Sequence, residues 1–317
     1  MYCLSKLLTR GNNGDKHSLR EKQRRCLMST CSSQIYGWLS IGIATMAFGI
    51  MPVAVSRYRA YVKNSAIFNG LRALFALPVA IALVAGFYGQ PSIESIVNAL
   101  PYALLISLGP LIGDTLYVVS IKILGGSLAV IIAYTYIFFV QPIAEFLGEG
   151  VSAATIAGSV VAFAGIVIAL GKEAKADRKA FSKGVASAIG AALAWGIAVP
   201  LIRYSLAYVE LPILLLLRLL IIWAVLAPPT PSIIKYLTDI NMIKALLISG
   251  TFVWGIGMTL YMYSVGCIGS VATAIGTAPV PLLSSIFTRL WIKDKIALRV
   301  YVGAALVSMG ILITLLS

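Results

Sequence analysis

Apolar residues occur in long runs along the chain, and each run is bounded by charged residues, glycine or proline. Ten of these runs have the length that a helix needs to cross the apolar part of a bilayer, about 17–25 residues. They cover residues 36–56, 66–87, 97–121, 126–146, 153–171, 183–203, 211–227, 243–265, 270–291 and 297–316. The pattern predicts ten membrane-spanning segments, and we refer to them as spans one to ten in chain order.

These segments are expected to be α-helices rather than β-strands. Lipid offers no hydrogen bonds to the backbone, so only helices and closed barrels can cross it. Barrel strands alternate apolar and polar side chains, whereas residues 211–227 are apolar on nearly every face. The predicted fold class is an all-α integral membrane protein.

Composition and charge agree with this class. Hydrophobic residues make up 60% of the chain and charged residues only 11%, against about 25% charged in soluble domains. The net charge of +14 is concentrated in the first 34 residues and in loops, so we expect lipid headgroups as the partner and no binding of nucleic acid. The other expected partner is a small-molecule solute, and the protein is expected to be a monomer or homodimer.

The basic tail, residues 1–34, has no apolar core of a secretory signal and no paired-cysteine framework. Three interpretations stay open for it. The tail is a disordered cytosolic extension, or it is a transit peptide, or Met28 is the true start of the protein. It is the first of four predicted regions, followed by repeat one (35–171), a charged linker (172–182) and repeat two (183–317).

The two halves of the apolar region carry the same short motifs in the same order. The pairs are Ala47-Phe-Gly-Ile50 with Ala194-Trp-Gly-Ile197, Leu71-Arg72 with Leu217-Arg218, Thr115-Leu-Tyr117 with Thr259-Leu-Tyr261, and Gly126-Ser127 with Gly269-Ser270. Each half has five spans, and an odd number inserts the second copy from the opposite side of the membrane. The sequence therefore predicts two inverted five-helix repeats, an arrangement typical of secondary transporters with a solute site near mid-membrane.

These motifs resemble the drug/metabolite transporter superfamily, in particular its ten-helix members with two EamA domains. The Ala-Phe-Gly and Ala-Trp-Gly motifs, Arg72 and Arg218, Gly148-Glu149 and Ala278-Pro-Val-Pro281 carry the resemblance, which covers about residues 35–317. It implies a permease for amino acids, other metabolites or drugs, often an exporter, in the cell membrane. One departure is that Lys293-Asp294 stands where the second half would have Gly-Glu, which puts the role of that acidic position in doubt.

No cofactor is expected. Residues 165–173 imitate a phosphate-binding loop, but they contain one residue too many and place Glu173 where Ser or Thr would bind Mg²⁺. The single histidine, His17, lies in the tail, so no His-based metal site or Ser–His dyad is expected within the membrane. Transport is therefore expected to follow a solute or ion gradient, and an enzyme is not expected.

Charged residues inside the spans are the first candidates for solute binding, because each costs about 2.5–3.5 kcal/mol at a helix centre. Arg218 and Arg72 could bind a carboxylate or phosphate, and Asp114 could take a proton or an amine. Alternatively, arginine and acid pair with each other to lock helices, or an arginine reaches the headgroups. Both interpretations stay open for all three residues.

Polar aromatic and amide side chains within the spans are the second candidates. Tyrosine and tryptophan combine an apolar face with one hydrogen-bonding atom, which suits a cavity for amphipathic solutes, although they also concentrate at membrane interfaces. The predicted binding residues of this kind are Tyr134, Tyr136, Trp195, Gln141, Tyr117 and Tyr261. In span nine, Pro279 and Pro281 predict a helix break beside the site, with a gating role.

Three questions stay open at this level. Basic loops favour both termini outside, whereas the basic tail and the family pattern favour them inside. A nucleotide-sugar or sugar-phosphate exchanger is the alternative function, since Arg218 and Lys122 could serve a phosphate. A channel, a scaffold or an intramembrane enzyme is a more distant alternative.

Overall fold

The computed structural model describes residues 33–88, 91–170, 178–227, 231–292 and 298–315. Helices occupy all ten predicted spans in these ranges, and the fourth and ninth are each split in two. Their bounds are α1 Gln34–Arg57, α2 Ser65–Tyr88, α3 Ile93–Leu124, α4a Gly126–Ala133, α4b Tyr136–Phe146, α5 Ala153–Leu170, α6 Arg178–Leu206, α7 Leu211–Leu226, α8 Ile240–Ile268, α9a Ser270–Gly276, α9b Val280–Ile292 and α10 Leu298–Leu315. A short helix, Pro231–Leu237, precedes α8.

The predicted fold class is confirmed. Seven of the described helical segments are long and apolar enough to cross a membrane, and α5, α7 and α10 contain shorter apolar helices. The helix ends differ from the predicted ones by a few residues, as for α3, which extends the predicted 97–121 at both ends. The basic tail up to residue 32, including Met28, residue 171 with residues 172–177 of the linker, and Lys293-Asp294 lie outside the described residues.

Apolar side chains cover the outer surface of the bundle. Along α1, Ile35, Leu39, Ile43 and Met46 recur every three or four residues, and each is at least half exposed. A soluble protein rarely leaves such a stripe uncovered, whereas lipid tails are a suitable solvent for it. The outer face of α1 is therefore a lipid-facing surface.

Contacts between the repeats are symmetric. Helix α1 packs on α8, and its counterpart α6 packs on α3; α2 packs on α8, and its counterpart α7 packs on α3. Helix α1 also packs on α9b and α6 on α4b, whereas two further large contacts, α2 with α7 and α5 with α10, join a helix to its own counterpart. This exchange of roles is what a two-fold relation between two five-helix repeats produces.

The breaks in the fourth and ninth spans occupy equivalent positions. The ninth breaks at residues 277–279, of which Pro279 is the last, and Pro281 lies in the first turn of α9b. The fourth breaks at Tyr134 and Thr135 without a proline. With the offset of 143 residues between Gly126 and Gly269, Tyr134 and Thr135 correspond to residues 277 and 278. The fourth span therefore has the same break as the ninth, although it has no proline there.

Two other prolines do not break their helices. Pro52 lies inside α1 and Pro200 inside α6, and both helices continue past them. Instead, wide π-helical turns interrupt the α-helical hydrogen bonding of α3 at Gly109–Asp114 and of α8 at Leu247–Gly257. Such turns often mark functional sites, and here both adjoin the cavity described below.

Candidate solute-binding site

A cavity of about 90 Å³ lies in the middle of the bundle, between the repeats. One water molecule needs about 10–15 Å³ by the same measure, so the cavity has room for a few waters or a small solute. Its walls come from α1 to α4 of the first repeat and from α6 to α9 of the second. Helices α5 and α10 pack against each other, and none of their described side chains lines the cavity.

Equivalent residues of the two repeats face each other across the cavity. The equivalent pairs among its wall residues are Phe48 with Trp195, Met51 with Ala198, Arg72 with Arg218, and Tyr117 with Tyr261. Phe48 contacts the ring of Tyr261 with centroids 5.6 Å apart, and its equivalent Trp195 contacts the ring of Tyr117 with centroids 5.0 Å apart. The pseudo-symmetry axis therefore passes through the cavity.

Arg72 and Asp114 form a buried ion pair at one side of the cavity, with Nη1 of Arg72 3.6 Å from Oδ1 of Asp114. The same Nη1 donates to Oδ1 of Asn69 at 3.1 Å, and Nε donates to the carbonyl of Ser249 at 3.4 Å. The guanidinium also lies over Trp254, with Cζ 4.3 Å from the ring centroid, a cation–π contact. Of the two interpretations left open for Arg72 and Asp114, the structure shows the pairing of arginine and acid between helices.

Asp114 has a second donor from the opposite repeat. Nε1 of Trp195 lies 3.3 Å from Oδ2 of the carboxylate. Asp114 is the last residue of the π-helical turn of α3. The carboxylate thus joins α2, α3 and α6 through the ion pair with Arg72 and the hydrogen bond from Trp195.

Arg218 has a different environment, although its position is equivalent. It is 4% exposed, and its Nη1 has only the sulfur of Met262 as an acceptor, at 3.7 Å. Its Nε is buried without a hydrogen-bond partner, and so are the hydroxyls of Tyr117 and Tyr261. Buried donors of this kind are costly unless something fills the cavity and accepts from them.

Aromatic rings form another part of the cavity wall. Tyr134 and Tyr136 meet edge to face at 5.5 Å, and both rings also meet Trp195 edge to face. The hydroxyl of Tyr136 lies 2.6 Å from Oγ1 of Thr277, so a residue at the α4 break is bonded to one at the α9 break. The breaks therefore bring polar groups of both repeats to the same wall.

Some predicted residues lie elsewhere. Gln141 does not line the cavity: its amide donates to Oγ of Ser159 at 2.6 Å and to the carbonyl of Ile137, which places it between α4b and α5. Pro279 and Pro281 lie at the α9 break beside Thr277, but they do not line the cavity either. Lys122 lies near the end of α3, where its Nζ donates to the carbonyl of Lys63.

The cavity is also lined by residues that the sequence pattern does not single out. Phe48, Met51, Met258 and Thr277 line it, and each is apolar or weakly polar, so none stands out within an apolar span. The duplication could have identified two of them. Phe48 is the repeat equivalent of Trp195, and Met258 is the equivalent of Asp114.

Glu149, in the loop between α4b and α5, makes a hydrogen bond from the first repeat to the second. Its Oε2 accepts a hydrogen bond from the backbone N–H of Ser270 at 2.8 Å, at the start of α9a. Burial raises the pKa of Glu149, and the Ser270 hydrogen bonds and the positive charge of Arg203 only partly oppose this. The Gly148-Glu149 motif thus joins the first repeat to the second.

The fold and cavity define a class: a helical, multi-pass membrane protein with two repeats around a central polar pocket. In the part of the chain that the structure describes, no three or more His, Cys, Asp or Glu side chains group as a metal site. The family model of the EamA-like transporter family matches residues 35–171 and again residues 182–316. The chain belongs to the EamA-like transporter family, and the predicted resemblance is confirmed.

A comparison with solved structures supports the fold. One chain, described only as "Crystal structure of protein", superposes with a TM-score of 0.68, covering 88% of this chain and 96% of that one at 18% identity. At that identity the likeness concerns the fold alone. No curated protein sequence matches this chain significantly.

Proposed function

We propose that the protein is a secondary-active carrier, an exporter in the cell membrane, which moves a small metabolite by alternating access. The observation that carries this proposal is the cavity between the repeats, with a buried arginine, Arg218, that lacks an anionic partner at contact distance. Inverted repeats give two arrangements of similar energy, one open to each side, and the cavity lies where both could reach it.

The alternative function, exchange of nucleotide sugars or sugar phosphates, has less support. A phosphate group with two negative charges calls for a cluster of cationic groups. Lys122, the second cation considered for that role, is bonded to Lys63 near the end of α3 and does not line the cavity. We therefore favour a solute with less charge than a sugar phosphate.

Reconstituted protein tests the carrier function. Proteoliposomes loaded with members of a panel of amino acids, organic acids and cationic drugs are expected to show saturable counterflow for at least one of them. Arg218→Ala and Asp114→Asn are each expected to abolish this flux with normal membrane insertion, because both residues line the cavity. Lys122→Gln, outside the cavity, serves as the matched control and is expected to keep the flux.

Two results would contradict the proposal. Flux that rises linearly with concentration and shows no counterflow indicates a pore. Unchanged flux in both Arg218→Ala and Asp114→Asn places the transport path elsewhere.

A further inference from the structure

Arg72 is surrounded by partners of four kinds. Asp114 supplies a carboxylate, Asn69 an amide oxygen, Ser249 a carbonyl and Trp254 an aromatic face. Its Nη2 is the one buried nitrogen that lacks a hydrogen bond. The charge of Arg72 is therefore balanced inside the protein.

The second repeat does not reproduce this environment around Arg218. The offset between Thr115 and Thr259 makes Met258 the equivalent of Asp114, and it makes Pro110 the equivalent of Trp254. The offset between Arg72 and Arg218 makes Leu215 the equivalent of Asn69. Each of the three side-chain partners is thus replaced by an apolar residue, while the arginine is kept.

Arg218 and its neighbour Tyr261 consequently have unused donors. Nε of Arg218 and the hydroxyl of Tyr261 are both buried without a hydrogen-bond partner. Tyr261 lies close enough to Arg218 for the two to interact electrostatically, and both line the cavity. Buried donors beside an open volume indicate that a ligand with acceptor atoms completes the site.

The charges of the wall select the charge of that ligand. The cavity is lined by two arginines and a single carboxylate, that of Asp114, and by no lysine, histidine or glutamate among the described residues. Asp114 also attracts Arg218, but it forms its ion pair with Arg72 and accepts a hydrogen bond from Trp195. The cavity wall therefore carries one positive charge in excess. A monoanion neutralises the surplus, whereas a zwitterion leaves it unchanged and a dianion reverses it. Uncompensated charge in a buried site is strongly unfavourable.

We propose that the solute is a small organic monocarboxylate, whose carboxylate binds Arg218 and the Tyr261 hydroxyl. The guanidinium is a planar donor that matches the two oxygens of a carboxylate. The apolar body of the solute packs against the rings of Tyr134 and Trp195, and the size of the cavity limits it to a few carbon atoms. The transport of this solute rests on the proposed function, whereas its binding is tested separately.

A matched series of four-carbon compounds tests the charge preference. The thermal unfolding midpoint of the purified full-length protein is measured with butanoate, 2-aminobutanoate, butan-1-amine and butan-1-ol, and with propanoate and hexanoate to vary the size. Because a ligand of the folded state raises this midpoint, at least one of the three acids is expected to raise it, and the zwitterion, amine and alcohol are not. An absence of any shift with the acids, or an equal or larger shift with 2-aminobutanoate or butan-1-amine, overturns the proposal.

Variants connect the shift to the proposed residues. Arg218→Gln is expected to lower the affinity for the acid by about 10- to 100-fold, the effect of one charged hydrogen-bonding group. Tyr261→Phe is expected to lower it by about 3- to 10-fold, with the fold retained because the lost hydroxyl has no partner. Lys122→Gln is the control, with unchanged affinity. An unchanged affinity in Tyr261→Phe and in Arg218→Gln places the acid at another site.

Binding and flux can fail independently. A monocarboxylate that binds but shows no counterflow contradicts the carrier function and leaves the binding site intact. Counterflow of an amino acid or an amine, with no binding of the acids, leaves the carrier function intact and overturns the monocarboxylate proposal.

Discussion

Arg72→Met is expected to lower the free energy of unfolding by about 3–5 kcal/mol, whereas Arg218→Met is expected to leave it unchanged or to raise it. The first substitution leaves the buried carboxylate of Asp114 without the cation that lies 3.6 Å away. The second removes a buried donor, Nε of Arg218, which lacks an acceptor and costs about 1–3 kcal/mol as long as the cavity is empty.

A double-mutant cycle separates the ion pair from other effects of these substitutions. Adding Asp114→Asn to Arg72→Met is expected to recover part of the lost stability, because neither member of the pair is then charged. Adding Asp114→Asn to Arg218→Met is expected to be destabilising, since Arg72 loses its counter-charge. Thermal unfolding of the purified protein gives the stabilities of these four variants and of Asp114→Asn alone, which completes both cycles. Equal losses of stability in Arg72→Met and Arg218→Met contradict the unequal environments described for the two arginines.

Gly165→Ala is expected to destabilise the α5–α10 contact by about 1–3 kcal/mol, which is the usual cost of overpacking a close interface. A methyl group at residue 165 would lie 2.6 Å from the carbonyl oxygen of Gly303 and 2.9 Å from the backbone nitrogen of Val307. Backbone atoms cannot move aside as the end of a flexible side chain can. Gly158→Ala meets the carbonyl of Gly310 at 2.6 Å, so the two substitutions together are expected to have a larger effect than either alone.

Gly42→Ala is the matched control for this prediction. Gly42 lies inside α1, and nothing occurs within 4 Å of the position that its added carbon would occupy. Alanine is the better helix former by about 0.5–1 kcal/mol, so stability is expected to stay the same or rise. The unfolding midpoints of the three variants give the comparison. A Gly165→Ala midpoint equal to that of Gly42→Ala would show that the α5–α10 contact is looser than described.

Much of the architecture follows from patterns that are local in sequence. Span positions depend on runs of apolar residues, and the duplication is visible in motifs such as those around Arg72 and Arg218. The break in the ninth span could be predicted from Pro279 because proline removes a backbone donor. These features need no knowledge of which helices touch.

The difference between the two arginines could not be predicted in this way. The charge state of the site depends on Asn69, Ser249 and Trp254 approaching Arg72, and two of these come from the second repeat. Similarly, Gln141 is a predicted binding residue because it is polar within a span. Its amide instead donates a hydrogen bond to Ser159 on the next helix. The break at Tyr134 contains no proline, so the sequence around it does not predict a break. It is explained by the repeat relation between the fourth and ninth spans.

Access to the cavity from both sides of the membrane is the central claim, and a cysteine at residue 198 tests it most directly. Ala198 lines the cavity on α6, whereas Leu104 on α3 is half exposed, does not line the cavity and provides the control position. A membrane-impermeant thiol reagent is applied to vesicles of each orientation, and mass spectrometry reads the labelling of that one residue. The account predicts labelling of Ala198→Cys from both sides and of Leu104→Cys from neither. Labelling of residue 198 from one side only, under all conditions that support flux, would contradict alternating access.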